Sequence, residues 1–539
     1  MLDLTNLRDA VRHEGRVSRR LFLAYAAALA SLPLVAERAA LAQGVPARAG
    51  FPKDPFALGI ASGDPEPTGV VLWTRLAPEP LQPDGGMRPE PVDVAWEVAE
   101  DDAFRKVAAS GKAVAAPQMG HAVHVEVQGL RPDRWYWYRF RAGDAASPVG
   151  RTRTAPDATA TPAELRFAFA SCQHYEAGLF TAYQQMAKDE LDLVVHLGDY
   201  IYEGAGTAEK VRKHAGPQCR TLAEYRVRHG QYRSDPLLQA AHARCPWVVT
   251  WDDHEVSNNY AGLEPGHRKT AKGTEAFDTA AAHLARRAAA YQAYYEAMPL
   301  RKASLPHGPD MQLYRTSSFG RLAAFQVLDT RQFRTNIAND DKQSDLPGEA
   351  SDPKRTILGA AQRDWLRKGL AESPATWNVL AQQVMMGMVD HVAGPGHGYS
   401  MDQWPGYAHD RIELVKFMAE RKVSNPVVLT GDIHSNWVND LRVDDRQADK
   451  PVVATEFVGT SISSGGKGTA KPASLAKLMA ENPGVKFHDA MRGYVRCKVT
   501  PGAWQSDYVQ VDDVTKPGGK ISTSASFVVE AGRPGAKRA

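Results

Sequence analysis

Four apolar runs in this sequence stop at residues able to ligate a metal ion. Cys172 follows "FAFAS", Asp199 follows "VVHLG", Asp252, Asp253 and His254 follow "VVTW", and Asp432 and His434 follow "VVLTG". A single Gly-Asp after a strand is ordinarily a turn or a helix cap. The same kind of ending on four separate runs is not explained by capping. Carboxylates gathered in one place repel one another, so a fold that converges them needs positive charge, which bound divalent or trivalent ions supply. Cys172 taken alone reads as a small core residue, since unpaired cysteine is among the most buried types.

The elements that would position these residues follow from periodicity. "ELRFAFASCQ" reads as a strand, "GLFTAYQQMAKDELD" as an amphipathic helix and "LDLVVHLGDY" as a strand, which together make a βαβ unit. Further strands are expected in "PWVVTWDDHE", "LAAFQVLDTR", "WNVLAQQV", "NPVVLTGDIHS" and "VVATEFVGTS", with helices such as "TAAAHLARRAAAYQAYYEAM" and "AQRDWLRKGLAE" between them. In open α/β sheets ligands gather at the carboxyl ends of the strands, where the metal-binding residues fall here. "GYVRCKVTP" and "QSDYVQVDD" are expected as a sheet edge or closing hairpin.

Residues 50–155 have a different character. "GVVLWTRL", "VDVAWEVAE", "HAVHVEVQGL" and "WYWYRFRAG" alternate with period two between turn residues, which predicts an all-β sandwich. The turn before the aromatic strand in "LRPDRWYWYRF" is similar to fibronectin type III and Ig-like domains. The expected organisation is therefore a β-sandwich over 50–155, an α/β domain over 163–515 and a tail over 516–539. The tail's end, "AGRPGAKRA", is polar and basic and reads as disordered.

A length of 539 residues calls for more than one domain. A net charge of +3, spread over many charges of both signs, gives no basic stripe, and nucleic acid is not an expected partner. Residues 1–42 carry Arg19 and Arg20, then an apolar stretch, then Ala40-Leu41-Ala42, the order of an export signal. The Ser-Arg-Arg-Leu-Phe-Leu order resembles a twin-arginine signal, which predicts the twin-arginine translocation machinery as a partner, a periplasmic or extracellular location, and no membrane-spanning helix in the mature protein. Cys219 and Cys245 could pair, or could equally be two unpaired small hydrophobes.

The order "SCQ", "GDYIYE", "WDDHEVSNNY" and "GDIHSNW" resembles the PhoD-type alkaline phosphatase branch of the calcineurin-like metallophosphoesterase superfamily. That resemblance covers nearly the whole chain. It implies an αββα metallophosphoesterase sandwich behind the β-domain, and a centre of Fe3+ and Ca2+. Asp199 would bridge the two ions. Cys172, Tyr202 and His434 would complete the iron site, and a ferric ion favours Tyr202 as phenolate. Asp253 and Asp432 would hold the second ion, with Asp252 as a further ligand or a turn residue. An all-oxygen site suits calcium better than zinc. Gln382 and Gln383 stand where the wider superfamily places another histidine ligand.

With Asp199, His254 is the expected catalytic residue, stabilising charge on the phosphoryl oxygens or protonating the leaving group. Arg233, in "YRVRHGQYRSDPLLQ", could reach substrate phosphate or lie on a solvated helix face. His174, His196 and His391 are expected to be structural. The expected activity is hydrolysis of small phosphate monoesters by a metal-activated water. Two alternatives stand beside it: phosphodiesterase or phospholipase activity on the same scaffold, and a non-catalytic phosphate-binding protein.

Overall fold

The valine- and phenylalanine-rich runs form short strands buried on both faces, because each lies between a second sheet and a layer of helices. The computed structural model describes residues 51–539 apart from 208–209, 271–272, 277, 347, 393 and 471–474. The twin-arginine-type segment, residues 1–42, lies outside the described residues.

The N-terminal strands are β1 (Ile60–Glu66), β2 (Gly69–Arg75), β3 (Val92–Ala99), β4 (Val107–Ala115), β5 (Ala122–Val127), β6 (Trp135–Ala142), β7 (Ala145–Ala146) and β8 (Gly150–Arg153). Strands β1, β2 and β5 form one antiparallel sheet, and β3, β4, β6, β7 and β8 form the other. Their inner faces meet over Ile60, Leu72, Val94, Val125, Tyr136 and Phe140, which makes the expected sandwich.

The sandwich is not a free-standing bead. Gly63 of β1 pairs in parallel with Trp247 in the α/β part, which fuses one of its sheets to the central sheet. A side chain at Gly63 would bring a Cβ within 2.7 Å of the Trp247 carbonyl oxygen, so only glycine permits that approach.

From residue 165 onward, β9 (Leu165–Ala170), β10 (Leu193–His196) and β11 (Trp247–Val249) run parallel and neighbouring. A hairpin of β12 (His267–Thr270) and β13 (Gly273–Ala276) follows, and then β14 (Arg315–Phe319), β15 (Ala323–Val327), β16 (Trp377–Ala381), β17 (Pro426–Thr430), β18 (Asn436–Leu441) and β19 (Ala454–Val458). These last six form a second sheet in the order β14-β15-β16-β17-β19-β18. The chain closes with β20 (Gly468–Thr469), β21 (Val485–Val499), β22 (Ala503–Val511), β23 (Ile521–Glu530) and β24 (Arg533–Arg538).

The two sheets pack face to face over Phe167, Phe169, Val195, Phe325, Val379, Val427, Phe457 and Trp504. Helices cover the outer faces, with Thr181–Met186, Leu222–Arg233, Pro236–His242 and Ala280–Ala297 on the first, and Gly359–Glu372 and Ala408–Glu420 on the second. This is the αββα arrangement. Strand β21 belongs to both sheets: its first half pairs with β18 and its second half with β9.

Three expectations are corrected. The end "AGRPGAKRA" is not disordered: its β24 pairs along β23, which pairs along β22, and Ala525, Phe527, Val529 and Ala536 are buried against the sheet core. The alternation in "SASFVVE" outweighs the basic ending, because every second residue finds the core. Strand β21 is interior rather than an edge, and β22 follows it as a hairpin. The helix expected in "GLFTAYQQMAKDELD" is only Thr181–Met186, because the acids after it serve as anchors: Asp189 accepts from Gln185 and Arg496, and Asp192 accepts from the Arg166 backbone N–H.

Candidate metal centre

Adjacent strands can bring their carboxyl ends together only where side chains do not block the approach. The glycines before Asp199 and Asp432 serve that need. A Cβ on Gly198 would lie 2.5 Å from the Asp252 backbone nitrogen, and one on Gly431 would lie 2.7 Å from Ser171 Oγ. At the candidate ligand positions the chain turns through left-handed backbone, with φ of 58° at Cys172, 53° at Asp199, 60° at Asp432 and 56° at His434. Non-glycine residues take that conformation at a cost of about 1 kcal/mol or more each. Four such residues converging on one place mark a site where backbone comfort is given up to aim side chains.

The aimed donors form three overlapping groups within 4.8 Å: Cys172 with Asp199 and His434, Asp199 with Asp253 and His254, and Asp252 with Asp253 and Asp432. Tyr202 joins the first group. Its hydroxyl donates to Asp199 Oδ2 at 2.7 Å and lies 3.0 Å from His434 Nε2. Ser464 Oγ lies 2.7 Å from the Tyr202 hydroxyl and 2.7 Å from the Cys172 carbonyl oxygen. Arg492 fixes the far side, donating to the His434 carbonyl and, at 2.9 Å, to Ser461 Oγ.

Burial sets the protonation of this group. It raises the Cys172 thiol, the Tyr202 phenol and the Asp199 carboxyl well above their usual pKa, and neighbouring negative charge adds to each shift. Burial, with Arg492 and His254 near it, pushes His434 down to about 3. The protein alone therefore favours neutral donors. A cation placed among them would reverse this, since metals bind thiolate, phenolate and carboxylate.

The third group, Asp252 with Asp253 and Asp432, is wholly oxygen. Asp252 Oδ2 and Asp253 Oδ1 are buried with no hydrogen-bond partner, which is costly unless something positive sits near them. Burial raises Asp252 well above its usual pKa and Asp432 to about 6. Burial also acts on Asp253, but Arg331 and His254 outweigh it and hold Asp253 below its usual pKa.

Arg331 is fully buried in the midst of these acids. It donates to Asp252, to Asp432 at 2.8 Å and to Asp402 at 3.0 Å, and Asp253 Oδ1 lies 3.5 Å away. Arg334 adds a contact to Asp402 at 2.8 Å. Four carboxylates thus face two guanidinium groups, and the shortfall of positive charge is what one divalent ion carries. The residues present fit a two-cation centre that shares Asp199.

His254 lies against the ring of Tyr202, 4.1 Å between centroids, and its Nδ1 lies 2.7 Å from Glu203 Oε2. Burial opposes its charge, but Glu203, Asp253 and Asp199 together raise its pKa well above the usual value. Glu203 holds one ring nitrogen and leaves Nε2 for the cleft. Glu203→Gln is expected to lower kcat by about 10- to 100-fold with KM little changed, the usual scale for a carboxylate that orients a histidine at a metal site. Steady-state kinetics at matched metal content checks this. An unchanged kcat would remove Glu203 from the machinery.

Glu255 joins the strand ends. Its Oε2 accepts the backbone N–H of Asp199 at 3.1 Å and of Asp252 at 2.9 Å. Gln382 and Gln383 are fully used elsewhere: Gln382 bonds Thr430 and Trp404, and Gln383 bonds Thr330, Thr250 and the Leu328 carbonyl. Neither is aimed at the ligands.

The expectation for Arg233 is not met in either form. It is neither on a solvated helix face nor reaching for substrate; it is 1 % exposed, bonded to Tyr200 Oη at 3.3 Å and stacked on Trp73. Cys219 and Cys245 are both buried free thiols. Of the histidines expected to be structural, His174 lies 4.3 Å from the Tyr202 ring, His196 stacks on Trp247 and His391 meets Trp437 edge-on.

Residues 167–508 match the PhoD-like phosphatase family, and residues 40–156 match the N-terminal domain of PhoD-like phosphatases. The chain belongs to the PhoD-like phosphatase family. It is 49% identical to alkaline phosphatase D of Bacillus subtilis (strain 168), over 99% of this chain and 91% of that protein. A solved structure described as "Structure of PhoD" superposes with a TM-score of 0.87 at 49% identity, covering 91% of this chain and 93% of that one. This PhoD-like protein is accordingly an enzyme of the phosphatase class. Among its described residues no helix is long and apolar enough to cross a membrane.

Proposed function

We propose that this chain hydrolyses phosphate monoesters at a centre in which Cys172, Tyr202, His434 and Asp199 hold Fe3+, and Asp199, Asp253 and Asp432, with Asp252, hold Ca2+. The observation that carries this reading is the division of donors around Asp199. Sulfur, phenol and the His434 imidazole lie on one side, and Asp252, Asp253 and Asp432 offer carboxylate oxygens on the other, with His254 beside Asp199 and Asp253. The first set suits a ferric ion and the second a hard divalent one. When bound, such ions polarise phosphoryl oxygens and acidify a water.

The protein's own groups do the rest. Asp199 fixes the spacing of the two halves, Glu255 locks the strand ends that carry Asp199 and Asp252, and His254, oriented by Glu203, presents Nε2 to the leaving-group oxygen. The named activity of the Bacillus subtilis relative supports the monoester reading.

Phosphate release from an aryl monoester and an aryl diester tests it. Monoester turnover should dominate, disappear on removing calcium with a chelator, and return more fully with calcium than with zinc. Elemental analysis should find iron and calcium, and Tyr202→Phe should lose the violet phenolate-to-iron band. Diester preference would transfer the activity to the phosphodiesterase class. Absence of turnover on both would leave a phosphate-binding protein, and two zinc ions per chain would overturn the metal assignment.

We also propose export, to the periplasm or beyond, from the "SRRLFL" order ahead of an apolar stretch. Changing Arg19 and Arg20 to lysine should retain the protein in the cytoplasm. Unaltered appearance outside it would refute the twin-arginine route.

A further inference from the structure

Arg233 carries a buried charge and two donors that nothing among the described residues answers. It ends the helix Leu222–Arg233 at 1 % exposure, in the seam between the helical layer and the N-terminal sandwich. Its Nη1 donates to Tyr200 Oη at 3.3 Å, and its flat face lies 4.3 Å from the ring centroid of Trp73, on β2. Nε and Nη2 are buried without any acceptor.

Those two nitrogens share one edge of the guanidinium and point the same way. Elsewhere in this protein that edge grips carboxylate. Arg315 closes it on Asp64 at 2.9 and 2.7 Å, and Arg226 closes it on Glu296 at 2.7 and 2.6 Å. Arg233 has no such partner, and no described carboxylate lies within ion-pair distance of it.

The surrounding polar groups are short of the same thing. Tyr200 Oη accepts from Arg233 and lies 2.8 Å from His242 Nε2. Burial and the Arg233 charge keep His242 neutral, with its pKa well below the usual value. His242 Nδ1 is buried without a hydrogen-bond partner. Ser62 Oγ on β1 and Tyr138 Oη on β6 are also buried, with no partner besides each other. Arg233 and Ser62 both lie close enough to act on the Tyr138 phenol. The unmet groups of this cluster that can only donate are Arg233 Nε and Nη2. What is missing is an acceptor with negative charge.

We propose that the seam holds a small monovalent anion of the halide class, chloride in ordinary media, against the Nε/Nη2 edge of Arg233. Water would satisfy the donors but leave a buried guanidinium uncompensated, which is the costly part. A phosphate ion would reverse the problem, bringing surplus negative charge and more lone pairs than these donors can fill. One anion matches one guanidinium. The anion would fasten Arg233 in place and, through the Tyr200 hydroxyl, steady the turn that carries Asp199 and Tyr202. It would also bind sandwich to helices at a point where both contribute donors.

The test uses the full-length, metal-loaded enzyme. Thermal unfolding in sodium chloride or bromide is compared with sodium gluconate at equal ionic strength. The halides should raise the midpoint saturably, by about 2 °C or more, as a ligand bound only to the folded state does. Arg233→Met should abolish the difference. Should that variant fail to fold, Ser62→Ala keeps the arginine, trims one donor and should weaken the halide dependence. Crystals grown in sodium bromide should show an anomalous peak within hydrogen-bonding reach of Arg233 Nε and Nη2. No peak at that edge, or an ordered water in its place, overturns the proposal whatever the unfolding curves do. Coincident midpoints in halide and gluconate overturn it as well.

Discussion

Asp199→Asn should lower kcat/KM by at least about 10³-fold, comparable to losing a principal electrostatic group, and remove most of the bound metal, while the fold survives. The geometry makes this a clean comparison. Asp199 sits at φ 53°, and asparagine tolerates left-handed backbone better than other side chains except glycine. The strand ahead of it, β10, keeps its apolar packing, and an amide oxygen can still accept the Tyr202 hydroxyl or the His254 backbone N–H that Asp199 now receives. What the amide lacks is the negative charge with which Asp199 would serve two cations in the proposed centre. Activity and metal content should therefore fall together while the unfolding midpoint of the metal-stripped protein holds within about 2 °C, a shift of roughly 1 kcal/mol in a large domain. Near-normal turnover in the variant would make Asp199 a turn residue and dissolve the site.

Arg331→Met should have the largest effect on stability. Removing one partner of a buried ion pair typically costs about 3 kcal/mol or more, because the other charge is left behind. Here Arg331 faces Asp252, Asp253, Asp402 and Asp432 at once, with only Arg334 as a second cation on Asp402. The metal-stripped variant should unfold about 6 °C or more below the parent, at roughly 2 °C per kcal/mol. Added calcium should then recover more of the midpoint in the variant than in the parent, since the ion replaces charge the arginine no longer supplies. Differential scanning calorimetry with and without calcium reads both quantities. A metal-free variant as stable as the parent would mean that Arg331 is a bystander to the acidic group.

The residues at this centre were legible to different degrees. Cys172, Asp199, Asp253, Asp432 and His434 could be found because a β-strand must end somewhere and its end is visible in sequence. Glu203 and Glu255 stood inside the quoted motifs, yet their role depends on which backbone N–H groups and which imidazole they reach, and that is set by turns of left-handed backbone that spacing does not reveal. Arg331 lies just past the strand "AAFQV" and would have been found by asking of that strand what was asked of the other four. Asp402, Ser464 and Arg492 arrive from distant loops and strands and carry no local signal.

Arg233 was misread for a physical reason. Its helix buries Arg228, His229 and Gln231 along with Tyr225 and Tyr232, so polar residues face inward and the usual link between polarity and solvent fails. The C-terminal segment misled in the opposite sense, because its basic end drew attention from the alternation of Ala525, Phe527 and Val529.

Strand β21 also dictates a timetable. It completes the first sheet beside β9, which ends just before Cys172, and the second beside β18, which begins just after His434. Neither half of the metal centre has its full framework until synthesis has passed residue 499 of 539. Before that moment a nascent chain presents β9 as an open edge with the Cys172 thiol at its tip, and the acids of later strands have no shared enclosure in which to compete for a cation. Contacts spanning more than three hundred residues, such as Val495 with Phe169, close slowly because so much chain entropy is lost before they are rewarded. Closure of the framework around the candidate centre therefore waits for β21, and until then the unpaired edge of β9 is open to edge-to-edge association.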